Sequence, residues 1–280
     1  MKILEVLKGK ISVELLKSVP RSFDLIGHVA VVEVPSELEP YASLLGEAIM
    51  EVHKKIETVL AKVGPVAGEH RVREFRLIAG KPETETLHKE HGCLFRLDVG
   101  KVYFSPRLSF EHARVAGLVR PGETVLDMFA GVGPFSILIA RKVKTAKVYA
   151  VDANPEAYRY LYENIRLNKV EDRVIPIRGD IRKVAETKLK NLRFNRIIMN
   201  LPEKAYQYLA ETCRLAKPEA TVHYYCFAGG PEPEDKALNV LQSSLAGLGV
   251  RAYDVLNIRL VREVAPRVWQ AAIDFKFLGF

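Results

Sequence analysis

Apolar positions along the first hundred residues change period several times, as they do where strands and helices are interleaved. A β-branched apolar run over 23–34, closed by Pro35, predicts a strand. Over 38–63 the residues Leu44, Leu45, Ala48, Ile49, Val52, Ile56 and Leu60 recur at spacings of three and four, which predicts a helix stopped by Gly64-Pro65. An arginine-rich stretch at 70–76 follows, then a polar turn at 81–86 and strand-like alternation over 94–104. Strands outnumber helices, so residues 1–100 are expected to form a small α+β domain. From residue 101 the texture becomes a regular alternation. Strands are predicted at 124–129, 147–151, 174–178, 196–199 and 220–226, a helix near 109–118, and helices after the glycine turn at 131–134, over 155–167, to about 189, over 203–215 and up to 248. Two long strands near 252–260 and 268–277 close the chain. Alternation of this kind predicts a mostly parallel sheet with helices on both faces, so residues 101–280 are expected to form one α/β domain.

Composition narrows the classes. The chain has 280 residues, 48% apolar and 27% charged, enough for one large core or two smaller ones. No apolar stretch approaches the roughly 20 residues that cross a bilayer, and the first residues lack a signal-peptide layout, so a cytoplasmic protein is expected. Three scattered cysteines, Cys93, Cys213 and Cys226, suit neither a disulfide framework nor a metal site, and no metal is expected. The net charge of +8 is unevenly placed: residues 1–100 hold 14 Lys+Arg against 15 Asp+Glu, and the remainder 28 against 19. Such an excess suits a polyanionic partner. The stretch 159–196, with eleven basic and five acidic residues, is expected to belong to that surface, the alternative being a solvated basic helix face.

Candidate chemistry begins at Asp127-Met128-Phe129-Ala130-Gly131-Val132-Gly133, a turn of small residues between a strand and a helix, where backbone approaches a nucleotide-like ligand. A dinucleotide fingerprint needs a third glycine, and Ser136 stands in its place, so S-adenosylmethionine is the favoured ligand. Asp152, ending the next strand, is placed to accept from two ribose hydroxyls, and Asp180, after the third strand, from the adenine amino group. Any one of these acids alone reads equally well as a helix N-cap. Three in register at the carboxyl ends of successive strands point to a methyl-donor crevice. The fourth strand ends in Asn200-Leu201-Pro202, which offers fixed acceptors to an N–H-bearing substrate or merely turns the chain into a helix.

These motifs, with the arginines at 71–76 and the stretch Tyr103-Phe104-Ser105-Pro106-Arg107-Leu108-Ser109-Phe110-Glu111-His112, resemble the archaeal and eukaryotic tRNA (guanine-37 N1)-methyltransferases from about residue 20 onward. The resemblance implies a Rossmann-like class I methyltransferase domain preceded by a small α+β domain for RNA binding or support. It implies S-adenosylmethionine as cofactor and tRNA, through its anticodon arm, as partner. It implies that Tyr103, His112, Asp127, Phe129, Gly131, Gly133, Asp152, Ala153, Asp180, Ile181 and Asn200 line the donor site. Glu111 is then the base, and Arg71, Asn200 and Pro202 touch the target guanine, with Arg73 the alternative to Arg71. Longer members carry an extra N-terminal domain that contacts the tRNA elbow; it is expected to be missing here, leaving recognition to the anticodon arm. A monomer is the default expectation.

The residue types suit the reaction. Guanine N1 carries a proton at neutral pH, so a base within hydrogen-bond reach must take it, and a guanidinium can stabilise the charge pushed onto O6. The target base must be turned out of its loop, where Tyr103, Phe104 or Phe129 would stack on it or else fill the core. The alternative reading of Glu111 and Arg71 is a surface ion pair bracing the domains. Relatives that transfer the aminocarboxypropyl arm to a tricyclic guanine in wyosine synthesis also lack the extra domain. They generally depart from Asn-Leu-Pro and carry Glu where this chain has Asp152. Methylation of the tricyclic intermediate is a further alternative, and an inactive RNA-binding adaptor should have lost an acid of the donor pocket.

Overall fold

The computed structural model describes residues 2–67 and 72–279, the side chains of 65–67 and 72 excepted. The chain divides into two compact units, Met1–Arg107 and Leu108–Phe280.

In the first unit two short helices, α1 (Ile3–Leu7) and α2 (Val13–Lys17), lead to β1 (Asp24–Ile26) and β2 (Val29–Val32). The run expected as one strand over 23–34 therefore folds as a hairpin. Gly27 makes the bend at φ +57, and a Cβ there would sit 2.1 Å from Thr86 Oγ1 and 2.6 Å from the Leu87 carbonyl oxygen, so only glycine fits. A 3-10 turn (Ser36–Tyr41) precedes α3 (Ala42–Val52), which buries Leu45, Ala48 and Ile49. The helix expected over 38–63 thus stops early, and β3 (Thr58–Ala67) takes its second half, parallel to β2. Val59, Leu60 and Ala61 are at most 3% exposed. A strand buried on both faces is apolar throughout and loses the alternation that would distinguish it from a buried helix.

β4 (Val72–Gly80) returns antiparallel and completes the order β1-β2-β3-β4. A separate hairpin pairs β5 (Glu85–Glu90) with β6 (Cys93–Asp98). The strand expected to run to 104 stops at Asp98, whose carboxylate accepts the Gly100 amide at 2.9 Å and turns the chain. Leu38, Leu45, Ile49, Val32 and Val59 belong to this unit's core.

The second unit alternates as expected: α4 (Ser109–Leu118), β7 (Thr124–Asp127), α5 (Pro134–Lys142), β8 (Lys147–Asp152), α6 (Pro155–Leu167), β9 (Val174–Arg178), α7 (Ile181–Glu186) and β10 (Phe194–Met199). A 3-10 turn (Ala205–Tyr208) opens the helix expected over 203–215, which is α8 (Leu209–Leu215); then come β11 (Ala216–Gly229), α9 (Pro233–Gly247), β12 (Ala252–Ala265) and β13 (Val268–Gly279). The sheet order is β12-β13-β11-β10-β7-β8-β9. Strands β7 to β11 are parallel, and β13 inserts antiparallel between β11 and β12. The chain starts at the centre, runs outward through β8 to β9, then crosses to β10 on the other side of β7. That reversal makes a crevice at the carboxyl ends of β7 and β10, the place where sheets of this kind hold ligands. Leu126, Ile197, Val222, Leu241 and Phe275 are among the buried residues that fix the sheet to its helices.

Candidate active site

Between β7 and α5 the backbone turns through Gly131 at φ +57 and Gly133 at φ +96. A Cβ on Gly133 would lie 2.7 Å from Leu161 Cδ1 and 2.9 Å from Ile137 Cδ1, so packing as well as backbone demands glycine. Pro134, with no amide hydrogen to lose, starts α5. Asp152 ties the turn to the next element: Oδ2 accepts the Gly131 amide at 2.7 Å and Oδ1 the Asn154 amide at 2.9 Å. Asn154 in turn caps α6 by accepting the Glu156 amide at 2.9 Å. A carboxylate can accept more than one hydrogen bond per oxygen, the donor-binding chemistry a ribose diol calls for. Ala153 beside it is exposed. Asp180 is half-buried and caps α7 through Oδ1 to the Arg182 amide at 2.8 Å, while Ile181 is buried. Phe129 packs edge-on against Tyr208 at 5.1 Å.

Asp127 plays a different part. It is fully buried, accepts the Ser136 hydroxyl on Oδ2 at 2.7 Å and leaves Oδ1 without a hydrogen bond. Burial raises its carboxyl to about 7; the Ser136 hydroxyl opposes the rise and the charge of Asp152 adds to it. The serine that stands where a dinucleotide site has its third glycine is thus the partner of this acid, and Asp127 braces the turn from within.

Beyond β10, Asn200 Oδ1 accepts Gln270 Nε2 at 3.0 Å, and Gln270, buried on β13, accepts Arg262 Nε at 2.9 Å. The Leu201 carbonyl takes the Lys204 and Ala205 amides and the Pro202 carbonyl the Phe227 amide. Pro202 is buried and shapes the turn, so among the three residues it is the Asn200 side chain that is oriented as a polar group.

Glu111, in the first turn of α4, is 1% exposed. Its Oε2 accepts the Tyr225 hydroxyl at 2.9 Å and Arg114 Nη2 at 2.9 Å, and Arg114 Nε is shared between Oε2 at 3.0 Å and Oε1 at 3.2 Å. Arg259 on β12 brings its Nε to 3.2 Å from Oε1. Arg114 also holds Asp274 of β13, which is paired with His223 Nδ1. Arg196 reaches His223 Nε2 at 2.8 Å and ends on Glu123 at 2.8 and 3.1 Å. Because a guanidinium only donates, His223 Nε2 accepts, and the imidazole proton sits on Nδ1 facing Asp274. Burial lowers the His223 pKa and keeps the ring neutral. Against the cost of burial, His223 and Arg114 hold the Asp274 carboxyl well below the usual range. Burial and the neighbouring Glu111 push the Tyr225 hydroxyl far up. Tyr225, Glu111, Arg114, Asp274, His223, Arg196 and Glu123 form one continuous polar chain, buried except at the half-buried Arg114 and Glu123.

Other expectations fare unevenly. His112 is buried, edge-on to Phe135 at 4.6 Å. Tyr103 is half-buried near the end of the first unit, Arg73 is half-buried on β4, and Arg71 lies outside the described residues. Glu111 is not a surface group: its ion pairs with Arg114 and Arg259 are interior to its own unit. Arg196, counted in the basic surface stretch, is only 4% exposed because Glu123 and the Leu118 carbonyl draw its guanidinium inward. Sequence reasoning missed Tyr225, Arg259, Gln270, His223 and Asp274 altogether. Arg114 alone carried a signal, three residues after Glu111 on a helix.

Comparison with known proteins matches both parts of the chain. The model of the TRM5/TYW2 methyltransferase domain matches residues 86–249, and that of the TYW2 N-terminal domain residues 3–84. The tRNA (guanine(37)-N(1))-methyltransferase Trm5b of Pyrococcus abyssi is 45% identical over 263 residues, 94% of this chain and 77% of that protein. The tRNA(Phe) (4-demethylwyosine(37)-C(7)) aminocarboxypropyltransferase of Methanocaldococcus jannaschii is 35% identical over 91% of this chain and 97% of that protein. Among solved structures, aTrm5 in complex with tRNALeu superposes with a TM-score of 0.85, at 35% identity over 99% of this chain and 78% of that one. With the donor-type crevice, the glycine turn and these matches together, the chain belongs to the TRM5/TYW2 methyltransferase family.

Proposed function

We propose that this protein transfers the methyl group of S-adenosylmethionine to N1 of guanosine 37 in tRNA. The observation that carries the reading is Asn200-Leu201-Pro202 at the carboxyl end of β10, with the Asn200 amide oriented by Gln270, in a chain 45% identical to a tRNA (guanine(37)-N(1))-methyltransferase. The glycine turn, Asp152 and Asp180 hold the donor and present its methyl carbon to the crevice. Glu111 takes the N1 proton on Oε1, which accepts the longer branch of the shared Arg114 hydrogen bond. Bound there, the donor would supply a methyl carbon that bonds N1 while its bond to the sulfonium sulfur breaks, the electron pair staying on sulfur and the positive charge being discharged. Arg71 is assigned to the charge developing on O6. The first unit serves as RNA-binding or support domain, the anticodon arm is the part of tRNA that is read, and the acting form is a cytoplasmic monomer. No helix among the described residues is long and apolar enough to cross a membrane.

A second reading, transfer of the aminocarboxypropyl arm, is favoured by the match of residues 3–84 to the TYW2 N-terminal domain. Asp152 and Asn200-Leu201-Pro202 speak against it. Incubation with unmodified tRNA and donor labelled in either the methyl group or the aminocarboxypropyl arm, followed by nucleoside analysis, separates the two. Methyl label in 1-methylguanosine supports the proposal, and arm label in the nucleoside overturns it. Glu111→Gln should cut the transfer rate far more than tRNA affinity, and equal losses would remove its role as base.

A further inference from the structure

Phe110 adjoins Glu111 in sequence and faces the other way. Glu111 is 1% exposed and Phe110 68%. Successive helical residues project about 100° apart, so a carboxylate turned into the unit leaves the preceding ring turned out of it. A single exposed aromatic residue is ordinary in itself. This one has a partner: the Arg259 guanidinium lies over the ring, 5.2 Å from its centroid. The same Arg259 brings Nε to 3.2 Å from Glu111 Oε1, a pairing without hydrogen-bond alignment that leaves the buried Nε unsatisfied. A ring and a guanidinium therefore sit together at the solvent edge, joined directly to the carboxylate assigned as base.

We propose that Phe110, backed by Arg259, is a stacking platform for an unpaired nucleobase that neighbours the methylated one in the RNA loop. The inference rests on the reading of the substrate as tRNA. Unstacked loop bases are recognised on aromatic rings and on arginine planes, and every base has a face to offer. One side of the Phe110 ring is covered by Arg259 and the rest is open. With Phe110 facing out and Glu111 facing in, one base cannot engage both, so the stacked base is nucleotide 36 or 38. The positive charge behind the ring also draws the phosphates on either side of that base.

Phe110→Ala and Phe110→Tyr in the full chain test this. Phe110→Ala should raise the Kd and KM for tRNA by roughly 5- to 150-fold, the range that corresponds to one base–aromatic stack. kcat at saturating tRNA, donor affinity and melting temperature should stay at wild-type values, and Phe110→Tyr should restore tRNA binding. In tRNA carrying 2-aminopurine at position 36 or 38, wild-type protein should quench one of the two probes and Phe110→Ala should not. Wild-type tRNA affinity in Phe110→Ala would overturn the platform, as would a loss of donor affinity and melting temperature that marks the ring as structural. The tRNA Kd decides this whichever nucleoside is formed, while absence of 1-methylguanosine from the wild-type reaction would overturn the functional reading alone.

Discussion

Replacing Asp127 with asparagine should make the protein less stable in acid and more stable in mild alkali. Burial raises this carboxyl from 3.8 to about 7. Raised in the folded state, the group contributes stability that is fully present below its ordinary pKa and is lost as pH rises through the folded one. Between about pH 4 and pH 7 the loss runs at about 1.4 kcal/mol per pH unit, about 4 kcal/mol in all. Asparagine has the same shape and no charge, so the variant lacks this slope. Its cost lies elsewhere: Oδ1 of Asp127 has no hydrogen-bond partner, and an NH2 placed there would be buried without an acceptor, at about 1–3 kcal/mol. The variant should therefore be less stable than wild type by about 1–3 kcal/mol near pH 4 and more stable by a similar amount near pH 8. Urea titrations of both proteins at half-unit steps from pH 4.5 to 8.5 measure the difference directly, with every other titrating group cancelling between them. A difference that stays constant to within about 0.5 kcal/mol across the range would show that Asp127 is ionised throughout and that burial does not set its state.

Gly133→Ala should destabilise by about 1–3 kcal/mol, because alanine at φ +96 is strained and its methyl meets Leu161, and it should weaken donor binding in calorimetry. An unchanged donor Kd would remove the turn from the donor site. Asp274→Asn should cost about 3–5 kcal/mol by leaving Arg114 and His223 without their buried anion. The Asp274 carboxyl is held below its usual range, so that contribution is present above the ordinary carboxylate pKa and disappears as pH falls through the folded value. The gap between wild type and variant should close in strong acid, and a gap independent of pH there would refute the assignment.

The strand ends that carry the proposed donor residues were legible because the pattern is local. A parallel strand, a turn and a helix recur along the sequence, so the end of each strand can be counted to, and Asp152, Asp180 and Asn200 fall on successive ends. The turn glycines announce themselves by size. What surrounds Glu111 was not legible, since Tyr225, Arg259 and Asp274 arrive on β11, β12 and β13 through an antiparallel insertion that no periodicity encodes. Asp274 and Arg114 are 160 residues apart. In the first unit the misread segments have physical causes: Gly27 breaks an apolar run into a hairpin, and residues 58–61 of β3 are buried on both faces and carry no alternation.

Strand β13 holds Gln270 against Asn200 and Asp274 against Arg114, so a strand without any recognisable motif orients both the amide proposed to meet the substrate and the carboxylate proposed as base. A chimera that exchanged the C-terminal hairpin between two relatives would keep every motif and still exchange the residues that orient the proposed base and amide. It should regain activity only when the residues at 111, 114 and 200 come from the same parent as the hairpin.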